Sequence, residues 1–470
     1  MSDVAAKDQT PDPIGLYDEE GDIRRPFVEA VAQTIDRQDI KALLELVGDL
    51  HEADLGALIE ALDHEDRPRL IELMGQEFDF AALTEVDDSV REDILEELPP
   101  ETVAEGMRDL ESDDAVAILE DLDREEQAEI LEAMSPIDRA ALQRSLDYPE
   151  SSAGRLMQTT LLTAPPFWTA GQTLDHIHDA SDDDLPDSFF EVFVVDPSHH
   201  LLGNVFLDTL VRARRSARLD ELMQERRSVH VTEDQEEVAR VFERYNLISA
   251  PVTEKNGRLV GVITIDDIVD VIEEEAEEDI KALGGVRAGE ELSSSVMWIT
   301  RSRFTWLFVN MLTAFMASSV LGVFADELEK MVALAVLVPI VASQGGNAAT
   351  QTMTVAVRAL ATRELSSSNA MRVAMREVTV GLLNGVAFGI LTGIGASLWF
   401  ASPGLGVVIG LAMITNLVAG AIGGIMVPLT LEKLGYDPAV SSGAFVTTVT
   451  DVVGNFSFLG IATLWFGLAH

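Results

Sequence analysis

The sequence predicts a multidomain chain: an all-α helical-repeat N-domain, a paired α/β module, an acidic connecting helix and a five-helix α transmembrane domain. Three observations predict this. Charge is segregated, because the 470 residues carry 81 acidic against 33 basic side chains, a formal charge of -48, while 47% of residues are hydrophobic. After Val296 the acids are only Asp326, Glu327, Glu329, Glu364, Glu377, Glu432, Asp437 and Asp451, and eight basic residues balance them. A helical pattern repeats at an offset of 60 residues in the acidic part, and five apolar runs fill the neutral part. The chain therefore meets two solvents, water first and lipid second.

The acidic half repels phosphate, which argues against nucleic acid as a partner and favours cations. An acidic surface also serves solubility in a saline host, and that reading stands beside the first. Cysteine is absent, which removes disulfides, thiolate metal sites and cysteine nucleophiles. No nucleophile–base constellation is found and the histidines are scattered, so an enzyme is not expected. The opening MSDVAAKDQTPDPIG has no basic stretch followed by an apolar one, and no cleaved signal peptide is expected.

Residues 1–22 are polar and rich in Pro, Gly and Asp, and are expected to be disordered. Residues 23–150 carry apolar positions at helical spacing, as in Ala42, Leu43, Leu46, Val47 and Leu50. Asp54 to Met74 aligns without gaps to Asp114 to Met134, and each copy reads as helix, short acidic turn, helix. Stacked helix pairs in a small solenoid follow from that repeat.

From Gly154 the pattern changes to short β-rich runs between helices. Phe190 to Asp196 and Leu201 to Phe206 read as two buried strands around a turn, within a first unit at 151–223. A second unit at 224–265 repeats the plan: Val229 to Thr232, a helix through Val238 to Tyr245, Ser249 to Thr253, a Lys-Asn-Gly turn, then Leu259 to Thr264. The closing LVGVITIDDI strongly resembles a CBS domain, and two such units pair into one module that often holds ATP or another adenosine nucleotide. Residues 266–283 follow as the most charged helix of the chain, with Ile268, Val269, Ile272, Ala276 and Ile280 still at helical spacing. So many like charges at i, i+3 and i+4 destabilise a lone helix. Salt, arginines or divalent metal must neutralise them.

After a linker at 284–302, the transmembrane domain occupies 303–470. Its spans are expected at about 303–325, 331–357, 373–400, 405–431 and 439–468, each beyond the ~20 residues that cross a bilayer. Arg301 and Arg303 precede the first; Arg358, Arg363, Arg372 and Arg376 lie between the second and third; Lys433 lies between the fourth and fifth. The opposite loops hold only Lys330 among three acids, and the uncharged 401–404. The positive-inside rule then predicts a protein of the inner or plasma membrane with a cytoplasmic N-terminus and an external C-terminus.

Two stretches break the apolar pattern. Pro339 to Gln351 contains Gly345, Gly346 and Asn347; the proline and glycines are expected to loosen the helix and free carbonyls towards a cavity, with close helix packing as the alternative. In the last span Asp451 is the only acid deep in the hydrocarbon. Such a carboxylate costs ~2.5–3.5 kcal/mol on insertion scales, and no intramembrane Lys or Arg pairs with it. It is either protonated or faces water and a cation. Hydroxyls, amides and one carboxylate are hard oxygen ligands, and magnesium, which sheds its water reluctantly, suits an outer-shell site. A two-fold axis would supply a pair of aspartates. The chemistry alone leaves calcium, manganese and a proton open.

Together these parts resemble the MgtE magnesium channels over nearly the whole chain. The most specific pieces are Gly345 to Asn347, Asp437 to Val440 and Val446 to Asp451. The resemblance implies a homodimer in membrane lipid that takes up Mg2+ passively and is closed by cytosolic Mg2+. It implies pore roles for Asp451, Asn347, Thr447, Gly443 and Thr448. It also implies sensing ligands at Asp267, Asp270, Glu275, Glu278, Asp279 and Glu236, and transfers no site into the N-domain. The chain departs from the family at Gly443 and Ala444, where Asn-Pro or Gly-Pro is common, and at Ala349, Asn246 and Asn455. A proton- or sodium-coupled divalent carrier, an adenine-nucleotide-sensing membrane regulator and a scaffold without transport are the rival readings.

Overall fold

A helix of 9–10 residues leaves its last carbonyls without intrahelical donors, and the N-terminal repeat meets that need the same way twice. In the computed structural model, Glu52–Ala61 and Asp66–Met74 form one helix pair, Ser112–Glu120 and Arg124–Ala133 the other. Arg67 Nε donates to the carbonyls of Ile59 and Leu62, at 3.0 and 3.1 Å. Sixty residues on, Gln127 Nε2 donates to those of Leu119 and Leu122, at 2.7 and 2.9 Å. The second helix of each pair thus closes the C-terminus of the first. Buried Leu55, Leu58, Ile59, Leu70 and Ile71, matched by Ala115, Ile118, Leu119, Ile130 and Leu131, join one core.

The structure describes residues 16–18, 21–108, 110–120, 122–181, 185–186, 188–290, 295–366 and 368–468. The expected disordered tail at 1–22 falls largely outside them, as does part of the linker at 284–302. Within the described part of that tail Leu16 is buried and the Tyr17 hydroxyl donates to Asp54. The chain divides into two compact units, Met1–Glu273 and Glu274–His470.

In the first unit, two three-stranded sheets follow the helical repeat. They are β1 (Thr163–Ala164), β2 (Glu191–Val195) and β3 (Leu201–Phe206), then β4 (Val229–His230), β5 (Ser249–Thr253) and β6 (Leu259–Thr264). Each has a parallel then an antiparallel pairing, and each breaks register once, at Val194/Val195 and at Val252/Thr253. The turns clasp each other: Leu201 N donates to Gly257 O and Leu259 N to His199 O. Phe193, Val195, Leu259 and Val262 form the apolar contact between the sheets. This is the expected CBS-type pair, its first half as complete as its second. The acidic helix Ile265–Leu283 grows directly out of β6.

Among its described residues the second unit contains five helices long and apolar enough to cross a membrane: Val296–Val323, Val332–Ala361, Ala370–Trp399, Pro403–Lys433 and, within Pro438–Phe466, Gly443–Phe466. They are spans 1 to 5. Span 1 begins seven residues before the expected start at 303, because Ser295 caps the backbone N–H of Trp298 at 3.3 Å. Span 2 corrects an expectation. It stays one continuous helix through Pro339, Gly345 and Gly346, since the small residues are held by close packing against span 4. Spans 3 and 4 also approach backbone to backbone, as small residues allow in lipid: a Cβ on Gly389 would lie 2.7 Å from the carbonyl oxygen of Gly410. Gly389→Leu is therefore expected to splay the two spans and cost about 2–3 kcal/mol. Thermal melting of the detergent-solubilised protein checks this, and an unchanged melting temperature would refute the contact.

Candidate functional site

Spans 1, 2 and 5 and the residues ending the acidic helix line an open-sided cavity of about 300 Å³. Its polar lining is Asn310 and Thr313 from span 1, Thr350 from span 2, and Thr447, Thr448 and Asp451 from span 5; Gly443 and Ala444 complete that wall. Leu283, Gly284 and Trp306 close another side. Gly285 has φ +73, and a Cβ there would collide with the Trp306 indole, so the turn out of the acidic helix packs directly against that ring.

The local hydrogen bonds make this lining electron-rich. Thr447 Oγ1 donates to Gly443 O at 2.9 Å, Thr448 Oγ1 to Ala444 O at 2.6 Å and Thr313 Oγ1 to Asn310 O at 2.9 Å. A hydroxyl has one proton and two lone pairs, so each of these oxygens keeps acceptor capacity and no donor for the cavity. No Lys or Arg lines it. The C-terminal end of the acidic helix adds a partial negative charge. Asn310 and Trp306 offer N–H groups, but the one formally charged side chain in the lining is the carboxylate of Asp451, which favours a cation over an anion. Six waters at about 30 Å³ each occupy about 180 Å³, so a fully hydrated ion fits the volume.

Of the residues expected at the pore, Asp451, Thr447, Thr448 and Gly443 share this cavity. Asn347 is not in its lining; it is exposed on span 2, next to Gly346, whose Cβ position is 4.0 Å from Thr447 Cγ2. Asn310, Thr313 and Thr350 were missed in the sequence. Their signal was a polar side chain inside an apolar run, too common in spans to stand out. Asn455, one turn from Asp451, is buried and its Oδ1 has no partner among the described residues.

A second cluster lies in the first unit. Asp113 is buried with an unpartnered Oδ2, and burial, then the charge of Asp267, pushes it well above the usual carboxylate range. Burial and then Glu52, Asp266, Glu85 and Asp270 push Asp114 up to about 6. Burial dominates at Asp267 too, pushed up to about 7 with Asp266 and Asp114 adding, although Thr264 donates to it at 2.9 Å. Burial then Asp270 raises Glu85, and burial then Asp266 raises Asp270. Two expected sensing residues, Asp267 and Asp270, thus face N-domain acids that no alignment supplied. Glu236 instead pairs with Arg240 on its own helix. Glu275, Glu278 and Asp279 lie further along the acidic helix, Glu278 exposed and the others half-buried. Among the described residues no three such groups converge closely enough for a single inner-shell metal; carboxylates at longer range suit an ion that keeps its water.

These raised values set a pH dependence. Between the unfolded value near 4 and the folded values near 6 to 7, the folded chain holds protons that the unfolded chain has released. Its stability therefore falls as pH rises through that window and recovers as pH falls. In chelator the melting temperature of the full chain is expected to be about 5 °C higher at pH 6 than at pH 8. Millimolar Mg2+ at pH 8 should erase most of the difference. An equal melting temperature at both pH values would refute the cluster.

Comparison with known proteins matches three segments. The family described as a divalent cation transporter (MgtE) matches residues 338–461, the MgtE intracellular N domain matches 50–151, and the CBS domain matches 219–274. The magnesium transporter MgtE of Enterococcus faecalis is 32% identical over 325 residues, covering 69% of this chain and 71% of its own length. That of Thermus thermophilus is 36% identical over 322 residues, 67% of this chain and 70% of its own. The solved soluble part of a magnesium transporter is 28% identical, covers 53% of this chain and 98% of its own, and superposes with a TM-score of 0.49.

Proposed function

Because this chain belongs to the MgtE family of magnesium transporters, we propose that it is a homodimeric channel through which hydrated Mg2+ enters the cell passively, closed by cytosolic Mg2+. The observation that carries this reading is the cavity around Asp451, whose lining holds one carboxylate, several hydroxyl and amide oxygens, and no Lys or Arg. Threonine oxygens and an asparagine amide hold the water shell of the ion from the outside, and the carboxylate supplies the charge. A second copy related by a two-fold axis presents the same wall from the other side. Asn347, outside the cavity of one chain, takes part at that axis. The N-terminal half lies in the cytosol and the C-terminus outside, as the arginines flanking alternate ends of the spans support.

Closure uses the acid cluster. Two unit charges 4 Å apart repel by ~4 kcal/mol at an effective dielectric of 20. Without Mg2+ the Asp113, Asp114, Asp267 and Asp270 carboxylates drive their elements apart; with it they are bridged, and Glu275, Glu278 and Asp279 on the acidic helix and Glu236 on the helix Gln235–Tyr245 add ligands. Shifting an equilibrium from 1:99 to 99:1 takes ~5.5 kcal/mol, which four ions supply if each binds the closed form about tenfold tighter. Adenine nucleotide at the paired α/β module acts in this reading only as a modulator of that closure.

Patch recording of the reconstituted protein tests the proposal. Magnesium currents should be independent of pH and sodium gradients and should shut as internal Mg2+ reaches the millimolar range. Uptake that requires a proton or sodium gradient would overturn the channel, and currents indifferent to internal Mg2+ would overturn the closure.

A further inference from the structure

We infer that Asn416, in the middle of span 4, is a positioning residue that sets the spacing of the two walls carrying Asp451 and Thr350 and thereby the ion preference. It rests on the reading of the Asp451 cavity as the ion path. Asn416 is fully buried and is not among the residues lining the Asp451 cavity. Its Nδ2 donates to the carbonyl of Val341 in span 2 at 2.8 Å, two residues past Pro339, while its Oδ1 has no partner among the described residues. The side chain fills the places where Gly345 of span 2 and Gly454 of span 5 would carry a Cβ; either methyl group would collide with the amide.

One buried amide therefore touches both walls from behind. Gly345 lies just over one helical turn before Thr350, and Gly454 lies three residues after Asp451. The same row of span 4 continues along span 2, where a Cβ on Gly420 would stand 3.0 Å from Gly345 O. A polar side chain buried between membrane spans with an unsatisfied oxygen is costly, and leucine would pack a span at lower cost. What leucine cannot do is hold the Val341 carbonyl at a fixed distance and direction. Misplacement of about 1 Å at a reacting or binding group changes function by up to about a hundredfold. The amide therefore defines a distance in addition to filling a gap.

The test uses the full chain in proteoliposomes and reads the ratio of Mg2+ to Ca2+ influx, which a purely structural role leaves alone. Asn416→Leu and Gly345→Ala should each lower that ratio about tenfold in protein that still elutes as wild type. Asn416→Asp, a neutral acid in so apolar a site, can donate its O–H to Val341 O and should restore the ratio. Should Asn416→Leu fail to fold, Gly345→Ala and Gly454→Ala press on the same amide from its two sides. A wild-type ratio in these variants, whatever their yield, would overturn the inference; so would a changed ratio that Asn416→Asp leaves unrestored. Asp451→Asn is the separate control: if it transports Mg2+ like wild type, the cavity itself is not the path and the ground for a role of Asn416 is gone.

Discussion

Replacing Asp451 by alanine is expected to reduce magnesium uptake at least fortyfold while leaving the folded protein intact. The magnitude follows from charge. A carboxylate about 5 Å from a divalent ion attracts it by about 7 kcal/mol at an effective dielectric of 20. Even a third of that, after water in the cavity screens it, corresponds to about a fortyfold change in affinity. No basic side chain lines the cavity, so the substitution leaves no orphaned cation behind and the fold has no reason to suffer. Asparagine keeps the oxygen and loses the charge, and should fall between alanine and wild type. Influx reported by a magnesium-sensitive dye inside proteoliposomes measures this. Wild-type uptake by Asp451→Ala would remove the pore from span 5.

Neutralising the cytosolic cluster has the opposite sign. The triple variant Asp113→Asn, Asp114→Asn, Asp267→Asn is expected to keep conducting at internal Mg2+ concentrations that close the wild type. The half-closing concentration should rise at least tenfold. Each of the three acids is raised chiefly by burial, with the other acids adding to it. Removing their charges abolishes the buried ligands by which an ion bridges the closed form, while Glu52, Glu85, Asp266 and Asp270 stay charged and continue to repel. The same variant should lose the pH dependence of melting described above. Patch recordings and melting curves on one preparation check both halves. A channel that closes at the wild-type concentration with the triple substitution in place would exclude these acids from sensing.

Much of the architecture was legible residue by residue. Arg67 and Gln127 occupy equivalent places in a repeat visible as text, and both act as the same clamp. The strands around Val192 and Ala250 announce themselves by apolar runs bounded by turns, and both fold with the same register break. Span 2 was legible as a helix and misread in its middle. Pro339 and the two glycines suggested loosening because their local preference is against a helix, whereas in the fold Asn416 and Gly420 of span 4 fit against that stretch and keep it continuous. Local propensity lost to packing.

What the sequence alone determined is the division into a water-facing acidic half and a lipid-facing neutral half, the five crossings, the duplicated modules and the singular status of Asp451. Each of these is a property of a short window, because hydropathy, net charge and helical period are summed over neighbours along the chain. Only the tertiary structure decided that Asn310, Thr313 and Thr350 share a cavity with Asp451, that Asp113 and Asp114 confront Asp267, and that Asn416 stands behind two walls at once. Those partners lie roughly 75 to 150 residues apart or are hidden by ordinary composition, except where one span lies close to the next. Their meeting is set by how whole helices and sheets pack, and no window of sequence contains that distance.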